Sequence, residues 1–166
     1  MSSRADEPAD TYTVEWHDGL PSEVLAALGE PARVGAPSAV LVLAVGTPDA
    51  VRTALLSTRE LRAGANGVRV ALASGSRTAA TLRPKAPLTL VLTDVAGAFT
   101  VQMTVRDTIE RQGFTVASCD VSRTRVERVG LQWNPLTYVP STQVAQAERW
   151  LDLDSVLDDA GDGHDS

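Results

Sequence analysis

Three hydroxyl side chains and a guanidinium fall within five residues at Ser74-Gly75-Ser76-Arg77-Thr78. Ser76 is a good N-cap for a short helical segment from Arg77 to Arg83, which must end near Pro84 because proline disfavours helical geometry in the residue before it. A hydroxyl-rich turn opening into a helix offers backbone N–H groups, the positive end of a dipole and Arg77 in one place, an anion cradle suited to a phosphate. The same residues also serve as an ordinary turn and cap with no ligand. Other chemistry is scarce. His17 and His164 are the only histidines, one near each end, which argues against His-based catalysis or metal binding. Cys119 stands alone, which removes both a disulfide framework and a cysteine-rich metal site within one chain, and it reads as a buried thiol. Asp107 and Glu110 read as a solvated helical face. The Asp-rich C-terminus lacks the Gly and Glu spacing of a calcium loop.

The elements around this turn read mainly as strands. Val68 to Ala73 alternates with the period of a half-buried strand and leads into the turn, and Leu88 to Thr93 resumes as a strand beyond it. Upstream, Ser22 to Leu28 predicts a short helix capped by Ser22 and stopped at Gly29. Ala39 to Val45 is apolar at every position, which predicts a strand buried on both faces. The turn Gly46-Thr47-Pro48-Asp49 leads directly into Val51 to Ser57, so the two strands form an antiparallel hairpin. Thr58 to Gly67 reads as a looser segment ending in the turn dipeptide Asn66-Gly67. Phe99 to Val105 places Phe99, Val101, Met103 and Val105 on one face and Thr100, Gln102 and Thr104 on the other. Arg106 to Gln112 predicts a helical turn or two, and Phe114 to Val129 a long strand or a bent pair. Trp133 and Tyr138 sit in an irregular Pro-bearing stretch, where they plug a barrel end or cover a ring ligand. Ser141 caps a helix running to about Leu151. Five or six strands joined by turns predict a mainly β fold, a closed antiparallel β-barrel with peripheral helices.

At 166 residues the chain is long enough for one domain with a real core, expected over residues 13–151. Residues 1–12 and 152–166 are expected to be disordered. The net charge of −6 is concentrated at the ends: residues 152–166 carry six aspartates and no cation, and residues 11–151 are faintly basic. That balance argues against a nucleic-acid binder, which would show a strongly basic face. No apolar run approaches the roughly 20 residues of a membrane helix, and the N-terminus lacks the apolar core of a signal peptide, so the expectation is a cytoplasmic protein with no membrane contact.

From about Ala39 to Val105 the chain resembles the pyridoxamine 5′-phosphate oxidase-like proteins, which bind FMN on a split β-barrel. Arg52-Thr53-Ala54-Leu55-Leu56-Ser57 resembles the family strand that starts with an Arg and lines the flavin. Ser74-Gly75-Ser76-Arg77-Thr78 resembles its Ser-Arg-Lys turn, which holds the FMN phosphate, with Leu82-Arg83-Pro84 as the exit. Gln102 resembles a Gln that reaches the flavin from a neighbouring strand, usually on the partner subunit. The resemblance implies an FMN-dependent oxidoreductase acting as a homodimer, with hydride passing through a flavin bound by Arg52, Thr53, Ala54, Leu55, Ser57, Ser74, Ser76, Arg77, Thr78 and Gln102. No residue stands out as a general acid or base, which suits flavin chemistry. Thr78 replaces the family's Lys, and the C-terminal substrate pattern of the oxidases is absent. The alternatives are therefore a deazaflavin in place of FMN, a non-catalytic barrel holding a flavin or haem-like ligand, or a barrel that has lost its cofactor.

Overall fold

The computed structural model describes residues 12–64, 67–95, 97–130 and 134–159. In chain order its elements are β1 (Thr13–Asp18), α1 (Ser22–Gly29), β2 (Ser38–Gly46), β3 (Val51–Ser57), a 3-10 turn (Thr58–Glu60), β4 (Leu61–Gly64), β5 (Gly67–Ala73), a second 3-10 turn (Ala79–Thr81), β6 (Pro87–Asp94), β7 (Gly97–Arg111), β8 (Phe114–Arg128), β9 (Thr137–Tyr138), α2 (Thr142–Ala147) and α3 (Trp150–Asp159). The strands form one antiparallel sheet in the order β3-β2-β6-β7-β8-β5-β4, with β1 added to β8 and β9 to β2.

The two ends of that order, β3 and β4, are consecutive in the chain and joined only by Thr58–Glu60. A path whose ends are tied by three residues cannot lie flat, so the sheet curls into a barrel. The core confirms the closure: Leu56 of β3 and Leu61 of β4 belong to the same buried cluster as Leu41, Leu43, Leu88, Leu90, Phe99 and Val101. Val24 and Leu28 of α1 cover the join, and Ala79, Leu82 and Ala86 of the β5–β6 connection enter the same core. The outer layer on the other side is α3, whose Trp150, Leu153, Val156 and Leu157 pack on Ala71, Phe114 and Val116.

The mainly β, antiparallel architecture and the β2–β3 hairpin match the sequence reading, and Gln102 lies on the opposite face from buried Phe99, Val101, Met103 and Val105. Several elements differ. β2 is not buried on both faces: Leu41, Leu43 and Val45 are buried while Val40, Val42 and Ala44 are half-buried on the outer surface. Helix α1 begins on Pro21 as N-cap with no side-chain cap, so Ser22 is its first residue rather than its cap. Arg106 to Arg111 continues β7 instead of coiling, because its pairing with β8 runs to Arg111↔Phe114 and satisfies the backbone there. The segment after Ser76 shortens to the turn Ala79–Thr81. The C-terminal helix is divided at Arg149, whose φ of 54° breaks the helical path, although Ser141 caps its first half by accepting from the Val144 N–H at 3.2 Å. The acidic stretch from Asp152 to Asp159 is helical, held by ion pairs described below. Residues 1–11, 65–66, 96, 131–133 and 160–166, including Asn66, Trp133 and His164, lie outside the described residues.

Candidate functional site

Register alone places much of the sequence-derived site. Thr53 is opposite Ala44, Ala44 opposite Thr89, and Thr89 opposite Gln102. Residues directly opposite one another share a face, so Thr53 and Gln102 lie in one row on the outer surface of the barrel. Three inter-strand steps separate them by about 14 Å along the sheet. The next row runs Leu55, Val42, Val91, Thr100, Arg125, Trp16. From β3 through β7 this face carries Val51, Thr53, Leu55, Val40, Val42, Ala44, Thr89, Val91, Thr93, Ala98, Thr100 and Gln102, with no charged side chain among them. Leu55 is 68% exposed and Val51 66%. Ionic character begins where β7 continues past Gln102 to exposed Arg106, paired with Asp120 at 3.0 Å, and at β8, where Arg123 donates from Nε to the Gln102 Oε1 at 2.7 Å and lies 4.3 Å over the half-exposed Trp16 ring. Arg52 is the second residue of β3, opposite Val45, and is exposed, and Ala54 is half-buried.

The Ser74–Thr78 turn has a different character. Ser76 keeps its capping role, its Oγ accepting from the Ala79 N–H at 3.0 Å, but for a single 3-10 turn. Ser74 donates to a Glu110 carboxylate oxygen, and Thr115 donates to the other at 2.5 Å. These bonds, Ser74 first, hold the Glu110 carboxyl below the usual carboxylate range. Glu110 is therefore ionised beside the hydroxyl that the sequence assigns to a phosphate. Pattern reading missed this residue because it took Asp107 and Glu110 as helical; on a strand Glu110 is opposite Thr115. Thr78 is buried, and Arg77 is exposed. Neither Arg52 nor Arg77 makes a hydrogen bond or ion pair among the described residues, so both guanidiniums are available to an anion.

Ser57 serves the fold. Its Oγ accepts from the Arg59 N–H at 3.2 Å while Glu60 accepts from the Ser57 N–H at 2.7 Å, a capping box on Ser57-Thr58-Arg59-Glu60. Burial pushes the Glu60 carboxyl up to about 7, with Glu148 adding to the rise and the Ser57 N–H and hydroxyl opposing it. Tyr138 belongs to the same neighbourhood. Burial raises its phenol against an opposing pull from the Ser57 hydroxyl, and its Oη is buried with no hydrogen bond of regular geometry. Cys119 is buried, and its thiol is pushed up to about 12 by burial and by Asp120 and Asp107, so it is inert as a nucleophile.

No family model matches the chain, and no curated protein sequence does. Among solved structures, one match is the FAD binding protein from Mycobacterium smegmatis, at 11% identity and a TM-score of 0.46, over 70% of this chain and 98% of that one. At that TM-score the likeness carries neither fold nor ligand to this chain. The site therefore stands on its own geometry. The barrel brings Thr53, Leu55 and Gln102 onto one face, leaves Arg52 and Arg77 without ion partners among the described residues, and commits Ser57 and Ser74 to internal bonds. Among the described residues no group of three His, Cys, Asp or Glu side chains could hold a metal ion, and no helix is long and apolar enough to cross a membrane.

Proposed function

We propose that the chain is an FMN-binding oxidoreductase of the pyridoxamine 5′-phosphate oxidase-like type, with the flavin held between two copies of the barrel. The observation that supports this reading most is the outer face from β3 to Gln102 of β7, which carries no charged side chain. A flavin ring is planar and mostly apolar with a polar edge, and that face offers Thr53, Leu55 and Gln102 among aliphatic neighbours. One copy cannot close on a ring from both sides, and Thr53 and Gln102 are about 14 Å apart on the same copy. Two copies apposed on this face bring the Gln102 of each towards the partner's β3. Arg52 and Arg77, neither of which has an acidic partner among the described residues, suit the phosphate. Ser76 and Thr78 are secondary contacts. When bound, the flavin supplies the hydride chemistry; the chain's residues bind, orient and exclude water.

One observation favours a non-catalytic relative of this reading. Glu110 closes the Ser74 hydroxyl with a negative charge, which weakens the phosphate end, so a riboflavin-like or deazaflavin ligand held without turnover is the second reading. The visible spectrum of the purified protein followed by FMN titration tests both. Saturable binding at one flavin per chain, weakened about tenfold by Arg77→Ala with the melting temperature of the apo form unchanged, supports FMN. Absence of saturable binding by FMN, riboflavin and a deazaflavin alike overturns both readings.

A further inference from the structure

The corner where β1, β7 and β8 meet holds one arginine unlike the rim cations. Arg123 of β8 is exposed, and its Nε donates to the Gln102 Oε1 at 2.7 Å. Its guanidinium lies 4.3 Å over the Trp16 ring, well inside cation–π range. Nε is therefore spent, while neither Nη has an acceptor among the described residues. Arg52, Arg77, Arg83 and Lys85 are exposed and unpaired as well, but no side chain among the described residues holds them in place. Arg123 is both unmatched and held.

The acids around this corner do not close on it. Arg125, 5.9 Å from the same ring, pairs with Glu127 at 2.8 Å. Asp120 pairs with Arg106 at 3.0 Å. Asp18 is opposite Arg123 in the β1–β8 ladder and makes no ion pair with it; the guanidinium leans diagonally onto Trp16 instead. Ion pairs between exposed side chains are weak, so Asp18 is a poor competitor for this cation.

What the group recognises follows from its geometry. With Nε occupied, Nη1 and Nη2 present an end-on fork of parallel N–H donors, spaced for the two oxygens of a carboxylate. Stacking and the Gln102 bond already restrict the fork, so little freedom is lost on binding. Gln102, its Oε1 taken, has only amide N–H groups left, so both side chains meet a ligand as donors. The Trp16 ring, 49% exposed, supplies apolar surface for the carbon body that carries the carboxylate.

We propose that Arg123 is a carboxylate-recognition site, taking an organic acid with an apolar body through a bidentate contact from Nη1 and Nη2. Gln102 lies on the face assigned to the flavin, and Arg123 is opposite it, one inter-strand step of about 5 Å further on. Resting on the flavin reading, this makes the substrate a carboxylic acid that Arg123 holds while its carbon body reaches the ring.

The test is a two-dimensional ¹⁵N-correlation titration of the full chain with benzoate, reading the Arg123 Nε–H and the Trp16 indole N–H, which Arg123→Gln and Trp16→Phe identify. The expected result is a saturable shift of both signals. Benzamide, with the same ring and no charge, should bind about tenfold more weakly. Arg123→Gln should weaken benzoate about tenfold without moving the melting temperature, and Arg83→Gln, which removes another exposed cation, should leave it unchanged. No saturation in the parent, undiminished binding in Arg123→Gln, an equal loss in Arg83→Gln, or saturation only after Asp18→Asn overturns the proposal. Inorganic phosphate binding at Arg123 more tightly than benzoate overturns the carboxylate class. In FMN-loaded protein, benzoate should shift the flavin bands, and should not do so in Arg123→Gln. Bands that stay in place overturn the substrate role alone. Failure of FMN to bind overturns the flavin reading and the substrate role with it, while the benzoate titration still decides the site.

Discussion

The seam between α3 and the barrel and the rim around Arg52, Arg77, Arg83 and Lys85 use the same residue types to opposite ends. At the seam four arginines have acidic partners: Arg59 and Arg62 share Asp154, Arg62 also reaches Asp158 at 3.2 Å, Arg111 meets Asp159 and Arg149 meets Asp152, while Arg69, opposite Arg62, has no acidic partner among the described residues and buries its Nη1. At the rim, Arg52, Arg77, Arg83 and Lys85 are all exposed, and none has an ion pair among the described residues. The rim cations follow from the local chain. Arg83 and Lys85 belong to one tight turn, closed by the Ala86 N–H on the Arg83 carbonyl at 3.0 Å, and that turn leads into Pro87 beside Gly46 of the β2–β3 hairpin. The difference teaches how to sort arginines in a chain rich in them. Those that hold a helix to the barrel are spoken for, and those left both unpaired and exposed are available to an external anion.

The largest effect sharpens the seam side of this contrast. Glu60 lies next to Arg59 in sequence, and its carboxyl is raised in the folded state to about 7 from a usual value near 4.5. A folded state that holds its proton more tightly than the unfolded chain is favoured below both values. That stability is lost as pH rises from about 4.5 through 7. Glu60→Gln keeps an acceptor for the Ser57 N–H and removes the charge. Urea unfolding should therefore find the variant more stable than the parent by roughly 2–3 kcal/mol at pH 8, with the gap closing towards pH 4. A gap independent of pH would show that Glu60 is not the titrating group.

Asp154→Ala leaves Arg59 without its acidic partner and Arg62 with Asp158 alone, on side chains 19% and 21% exposed. The cost should be about 2 kcal/mol, between that of an exposed pair and a fully buried one. The same measurement on Arg77→Ala or Arg83→Ala should give a change within about 0.5 kcal/mol. Equal costs on the two sides would erase the distinction between paired and unpaired cations.

Ligand affinity reverses the order. FMN binding should fall about tenfold, or 1.4 kcal/mol, in Arg52→Ala, while riboflavin, which lacks the phosphate, should lose nothing. Asp154→Ala should leave both affinities as they are under conditions where the variant is folded.

The smallest expected change in stability is at the outer face. Leu55→Glu adds a charge at a position already 68% exposed, so the unfolding free energy should move by less than about 0.5 kcal/mol. Light scattering should nonetheless show the parent at twice the 17.5 kDa chain mass and the variant at the single-chain mass. A parent that scatters as one chain removes the apposed pair from the proposal.

How far the sequence reaches is clear from individual residues. Gln102 could be put on the outer face from alternation alone, since period two assigns every second residue of a strand, and β7 obeys it over Phe99 to Val105. Arg106 to Arg111 could not be assigned the same way. Its pattern is polar, and only the partner β8 makes it a strand. β1 was equally silent, being an exposed edge strand whose identity rests on pairing with Arg123 to Arg128. Ser57-Thr58-Arg59-Glu60 carries the capping-box spacing within a stretch that reads from sequence only as a looser segment, and that this box joins the two ends of a barrel is a statement about strand order.

By itself, then, the sequence determined the mainly β class, the hairpin at Gly46-Thr47-Pro48-Asp49, the inward set of β7 and the solitary cysteine. These depend on period, turn chemistry and composition, which act within a few residues. Only the tertiary structure decided that Ser74 faces Glu110, that the acidic C-terminal stretch is a helix tied to Arg59 and Arg62, and that Thr53 and Gln102 share one uncharged face. Each of those is a pairing between residues far apart in the chain, selected by register and by the closing of charges on one another.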